Sequence, residues 1–154
     1  MVEGARLEIV WAGDRLGGSN PLASAKKEII MSTVFAKIIA GELPCYKIYE
    51  DDKTLAFLDI NPEVPGHTLV IPKVGYDKVY ELPEADYLAL MKTVKKLALH
   101  FEKITGKRII MKVIGTDVPH AHVHLMPLDP HWYSNPQTPL TDQEMAELAQ
   151  KLAL

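Results

Sequence analysis

The chain has 154 residues with a formal net charge of −3, 47% hydrophobic and 24% charged residues, which fits one ordinary globular domain. That charge provides no basic footprint for nucleic acid, and no apolar run reaches the roughly 18 residues needed to span a bilayer. A single cysteine, Cys45, excludes an internal disulfide and any cysteine-cluster metal site, and it favours a reducing, cytoplasmic setting.

Residues 1–30 read as an N-terminal extension without function. Their longest apolar stretch, Ile9 to Ala12, is too short for a signal-peptide core, and Gly17-Gly18-Ser19-Asn20-Pro21 breaks regular structure. Met31, followed at once by a helix start, reads as a natural initiator, so the domain is expected over residues 31–154. Ser32 or Thr33 caps a short helix with Phe35, Ile38 and Ile39 on one face, closed by Gly41 and Pro44. Tyr46 to Glu50 and Thr54 to Ile60 form a strand pair around Asp51-Asp52. The loop from Asn61 to Gly66 leads into a third strand, His67 to Pro72.

A long helix follows Pro83, with Glu84 and Asp86 in its first turn and Gly106 past its end. Tyr87, Leu90, Met91, Val94, Leu97, Ala98, Phe101 and Ile104 recur along it at helical spacing. Arg108 to Ile114 and His120 to Met126 are two further strands, and Pro127 to Pro139 is loop. Thr141 and Glu144 make a capping box for a last helix carrying Met145, Leu148, Ala149 and Leu152. Five strands with short connections and flanking helices predict an α+β fold with a largely antiparallel sheet.

His120, His122 and His124 alternate with Ala121, Val123 and Leu125. On a helix this spacing would spread the imidazoles over about 200°. On a strand it puts all three on one face and the apolar residues on the other. Three aligned imidazoles suit a metal site, or a nucleophilic imidazole with neighbours to hold it and to contact a phosphate. Simple packing is the weaker use, because each buried ring needs hydrogen-bond partners. The three residues alone do not decide between metal and nucleophile.

Their surroundings resemble the histidine triad family. His120 to Met126 matches that family's alternating histidine signature. Phe57-Leu58-Asp59-Ile60-Asn61-Pro62 and Pro65 to Lys73 are similar to its nucleotide-binding strand and fourth-histidine strand, and Val34 to Ile39 resembles its first helix. The resemblance runs in family order from Met31 to Trp132. It implies a five-stranded sheet with a long central helix and short terminal helices, paired as a homodimer. It also implies hydrolysis at the α-phosphorus of a purine, AMP-like nucleotide such as a nucleoside 5′-phosphoramidate, with no metal or other cofactor. His122 would be the nucleophile and form a nucleotidyl-histidine. His124 would hydrogen-bond the phosphate oxygens, with His120 and His67 fixing ring orientation and tautomer. Ile38, Phe57 and Ile60 would wall the base, and Asp59 would accept from the ribose hydroxyls. His100 and His131 receive no role.

The sequence departs from the family pattern in two places. Lys112 occupies the strand where many members carry an asparagine, and the connection Ile114 to Pro119 is short, with Asp117 where a phosphate-contacting hydroxyl is expected. Thr33 and Ala36 replace the paired cysteines that bind structural zinc in some relatives. The altered Lys112 to Pro119 loop keeps open dinucleoside polyphosphate hydrolysis, Asp117 a nucleotide-binding regulator with little turnover, and the three histidines themselves a metal hydrolase.

Overall fold

A computed structural model of the chain describes residues 21–129 and 139–154. Within these residues, helix α1 spans Pro21–Met31 and α2 spans Val34–Ile39. Strands β1 (Lys47–Glu50), β2 (Thr54–Leu58) and β3 (Thr68–Pro72) follow, then a 3-10 turn at Val79–Glu81 and the long helix α3 (Glu84–Thr105). Strands β4 (Ile109–Lys112) and β5 (Val123–Pro127) and helix α4 (Asp142–Leu152) complete the order. The five strands form one sheet in the order β1-β2-β3-β5-β4, with every pairing antiparallel. No described helix is long and apolar enough to cross a membrane.

The caps explain the helix limits. Thr33 accepts from the Ala36 amide to open α2, and Thr141 and Glu144 form the reciprocal capping box of α4. Helix α3 ends at Gly106, whose φ of 66° suits the left-handed cap. Helix α1 was not expected, because the glycine-rich run before it pointed to a break. Pro21 instead serves as the first helical residue, where its missing N–H costs nothing. Ile30 is buried, and Lys26 pairs with Glu81 at 3.0 Å.

The sheet is buried on both faces. Ala56, Leu58, Val70, Val123 and Leu125 pack against Leu90, Val94, Leu97 and Phe101 of α3 and Met145, Ala149 and Leu152 of α4. Leu55, Phe57, Leu69 and Ile71 face the opposite way and pack against Phe35 of α2. Strand pairing puts Phe57, Leu69, His124 and Lys112 in one row across β2, β3, β5 and β4. The imidazole face is therefore the α2 face, and Ala121, Val123 and Leu125 lie in the α3 core as the alternation predicts.

The strands are shorter than expected, and one limit matters for the site. Regular β5 begins at Val123, so His120 and His122 precede it. Pairing with β3 stops at Val70 and Val123 because the Ala121 amide donates instead to Tyr76 O at 2.6 Å. Gly115, with φ 69°, lies in the connection that leaves β4 beyond Lys112.

Candidate functional site

His67, just before β3, comes together with His120, His122 and His124 around the start of β5, each less than a tenth exposed. The His122 and His124 ring centres are 4.8 Å apart, and those of His124 and His67 are 5.1 Å apart. Phe35 sets its ring edge-on to both His122 (5.4 Å) and His120 (6.0 Å). Phe35 is an unanticipated part of this cluster: its sequence signal was only its place on the apolar stripe of α2.

The hydrogen-bond partners fix the tautomers, because a carbonyl can only accept and an amide can only donate. His122 Nδ1 lies 2.6 Å from the His120 carbonyl oxygen, so Nδ1 carries the proton and Nε2 keeps the lone pair. His120 Nε2 donates to Pro72 O at 2.9 Å, leaving Nδ1 as a buried acceptor without a partner among the described residues. The Glu63 amide donates to His67 Nδ1 at 3.1 Å, so the His67 proton is on Nε2. That proton points at His124 Nδ1, 2.9 Å away, which must accept it. His124 is left with its proton on Nε2, which is buried and unpartnered among the described residues. The relay thus ends in an N–H donor on the ring next to His122, the two ring centres 4.8 Å apart.

Burial sets the charge state of these rings. It pushes His67 and His124 down to about 4 and lowers His120 as well, so all three are neutral near pH 7. Asp59 shifts the other way: burial raises its carboxyl above the usual aspartate range, against a hydrogen bond from the Asn61 amide to Oδ1 at 2.9 Å. Its Oδ2 stands 3.7 Å from His67 Nδ1. Asp59 thus forms a local turn with one oxygen and presents the other to the histidines.

Asp59, His67 and His124 each offer a ligand atom, all within 4.8 Å of one another, a possible frame for a cation. Both His67 nitrogens are already hydrogen-bonded, so a cation there would have to displace either the Glu63 amide or the relay proton. At the place of the paired cysteines, the Thr33 side chain is used in capping α2.

The residues expected around a base divide. Phe57 is buried beside Phe35, Leu69 and Ile71, with Ile38 packed against them, whereas Ile60 is 74% exposed and stands outside that cluster. It follows the end of β2, where the chain has left the sheet. Lys112 contacts the Glu63 carboxylate, and Asp117 is exposed and accepts from Thr116 Oγ1 at 3.3 Å. His100 Nε2 meets Ala153 O at 3.2 Å, which ties α3 to the chain end. His131 lies outside the described residues.

Comparison with known proteins agrees with this architecture. A HIT-like protein of Methanocaldococcus jannaschii is 42% identical over 99 residues, covering 61% of this chain and 77% of that protein. The adenosine 5′-monophosphoramidase of Schizosaccharomyces pombe is 35% identical over 130 residues, covering 80% and 97%. The crystal structure of a HIT-like protein from Bartonella henselae superposes with a TM-score of 0.72 at 30% identity, covering 79% of this chain and 94% of that one. The HIT domain model matches residues 40–131, and the chain belongs to the histidine triad family.

Proposed function

We propose that the protein is a metal-independent hydrolase that cleaves a purine nucleotide at its α-phosphorus, with nucleoside 5′-phosphoramidates as the substrate class. The observation that carries this reading is a lone pair on His122 Nε2 and an unpartnered N–H on His124 Nε2, on rings whose centres are 4.8 Å apart. Similarity to an adenosine 5′-monophosphoramidase over most of the chain supports it.

His122 Nε2 attacks phosphorus and forms a P–N bond while the bond to the leaving group breaks, its electrons departing with that group. Water then attacks the same phosphorus and releases the nucleoside monophosphate, with His122 restored. His124 donates to a phosphoryl oxygen as charge gathers there, and the His120 carbonyl holds the His122 proton on Nδ1. Asp59 Oδ2 accepts from the ribose diol, and Ile38, Phe57 and Ile60 flank the base. A homodimer formed through α3 and β4 belongs to the same reading. Leu88 and Leu99 are exposed on α3, three turns apart, and Met111 is exposed on β4, an outer strand of the sheet. The lone, half-buried Cys45 suits the cytoplasm.

The test is steady-state hydrolysis of adenosine 5′-phosphoramidate with and without excess chelator. Equal turnover in both is expected. Chelator-sensitive turnover would transfer the role to a metal held by the histidines. Absence of turnover on this substrate would overturn the phosphoramidase assignment, leaving dinucleoside polyphosphates and a purely binding role to be assayed. A protomer mass by sedimentation equilibrium would remove the dimer.

A further inference from the structure

The ion pair of Lys112 and Glu63 spans the relay. Lys112 is the cross-strand partner of His124, so it lies on the imidazole face of β4. Glu63 belongs to the loop between β2 and β3, and its carboxylate meets the Lys112 ammonium on the far side of β5. The backbone amide of the same Glu63 holds His67 Nδ1. We propose that the Lys112–Glu63 pair is a positioning device that selects the tautomer of the His67–His124 relay. The inference rests on the role given to His124 in the proposed function.

The relay has two neutral arrangements that share the same heavy atoms. In the first, the Glu63 amide donates to His67 Nδ1, His67 Nε2–H donates to His124 Nδ1, and His124 presents N–H at Nε2. In the second, His67 carries its proton on Nδ1 and gives it to Asp59 Oδ2, which already stands 3.7 Å away. His67 Nε2 then accepts from His124 Nδ1–H, and His124 presents a lone pair to the phosphate. That arrangement repels a phosphoryl oxygen.

The Glu63 amide favours the first over the second, in which it would face another N–H, and it acts against the pull of Asp59 Oδ2. The amide's position therefore bears on the choice, and the salt bridge fixes it: Lys112 anchors the side chain of the residue whose amide chooses the state. The Glu63 carboxylate raises the pKa of His67 and the Lys112 ammonium lowers it, while burial dominates. His122 and Lys112 lower that of His124, and Asp59 raises it. A nucleotide whose ribose occupies Asp59 would reinforce the first arrangement by removing the competing acceptor.

The experiment combines kinetics with long-range 1H–15N correlation spectra of the full chain labelled at histidine, which report which ring nitrogen is protonated. In wild type, His67 and His124 should both be protonated at Nε2. Lys112→Met should move both toward Nδ1 protonation and lower kcat about tenfold, with KM within about twofold. Lys112→Arg should restore the wild-type pattern. Glu63→Gln keeps the amide and loses the charge, so it should reproduce Lys112→Met, and the double variant should be no worse than either single one. A wild-type ring pattern in Lys112→Met overturns the proposal, whereas an altered pattern with unchanged kcat upholds the tautomer selection and removes His124 from the donor role in the proposed function. A wild-type protein inactive on the phosphoramidate would defeat the proposed function instead, and the ring pattern would still decide whether Lys112 selects the tautomer.

Discussion

Buried neutral histidines make the fold acid-sensitive in a pH window where little else titrates. His67 and His124 are held at about 4 in the folded chain, against the ordinary imidazole value of 6.5 that applies once it unfolds. Between these values the unfolded state binds more protons, so stability falls as pH falls. For one such ring, integration from pH 7.5 to pH 5 gives a loss of about 2 kcal/mol, and both rings together could reach about 4 kcal/mol. His120, also lowered by burial, adds in the same sense.

Other shifted groups act further down the scale. Glu50, Glu81 and Glu144 are held below the usual glutamate value of 4.5, so their contribution is lost only under stronger acid. Asp59, raised by burial, works in the opposite direction there, since the fold favours its protonated form. Urea unfolding at half-unit steps from pH 7.5 to 5 measures the effect directly. His67→Phe should make the slope shallower, since one of the displaced titrations is removed. A free energy of unfolding constant across this interval would refute the claim that the relay is neutral and buried.

His122→Asn should abolish turnover while nucleoside monophosphate affinity, measured by calorimetry, stays within about threefold, because the change removes the attacking lone pair and little contact area. Asp59→Ala should weaken binding of a ribonucleotide more than that of its 2′-deoxy analogue; equal losses would remove the diol contact. Gly66→Ala should cost about 2–4 kcal/mol in urea unfolding, summing left-handed strain and overpacking. Gly66 has φ 88°, and an added Cβ would lie 3.2 Å from Pro127 Cγ and 3.4 Å from Leu152 Cδ1. A loss below about 1 kcal/mol would mean that the turn before His67 yields more easily than its geometry implies.

Much of the fold was legible because its signals were local. The capping box at Thr141, the Gly106 stop and the apolar stripe of α3 each depend on residues within a turn or two, and each element lies close to where those signals point. The alternation of imidazole and apolar residues also carried over, since Ala121, Val123 and Leu125 sit in the α3 core. Distant pairings were not legible. Nothing near Lys112 in sequence points to Glu63, 49 residues earlier, and nothing near His67 points to an amide four residues back. Ile60 shows what an apolar residue leaves unsaid about burial: it stands 74% exposed where the chain has already left β2, while Phe57 three residues earlier is buried in the sheet. Helix α1 was hidden because glycines before Pro21 outweighed a proline placed where helices tolerate it.

The late start of β5 has a chemical consequence. In a regular antiparallel strand, backbone carbonyls are largely consumed by the neighbouring ladder. Here the ladder between β3 and β5 begins only at Val123, and Tyr76 takes the Ala121 amide. Regular pairing with β4 likewise reaches no further than His124, and the His120 carbonyl accepts from His122 Nδ1 at 2.6 Å, which leaves the lone pair on Nε2. His124, two residues further on, lies inside the paired strand and takes its tautomer from a side chain, His67, instead. Two histidines one pleat apart thus present opposite faces of imidazole chemistry, one an electron pair and the other a proton. The boundary between irregular and regular backbone falls between them, so neighbouring positions of one alternating motif take their tautomers from different partners, a main-chain carbonyl for His122 and a side chain for His124.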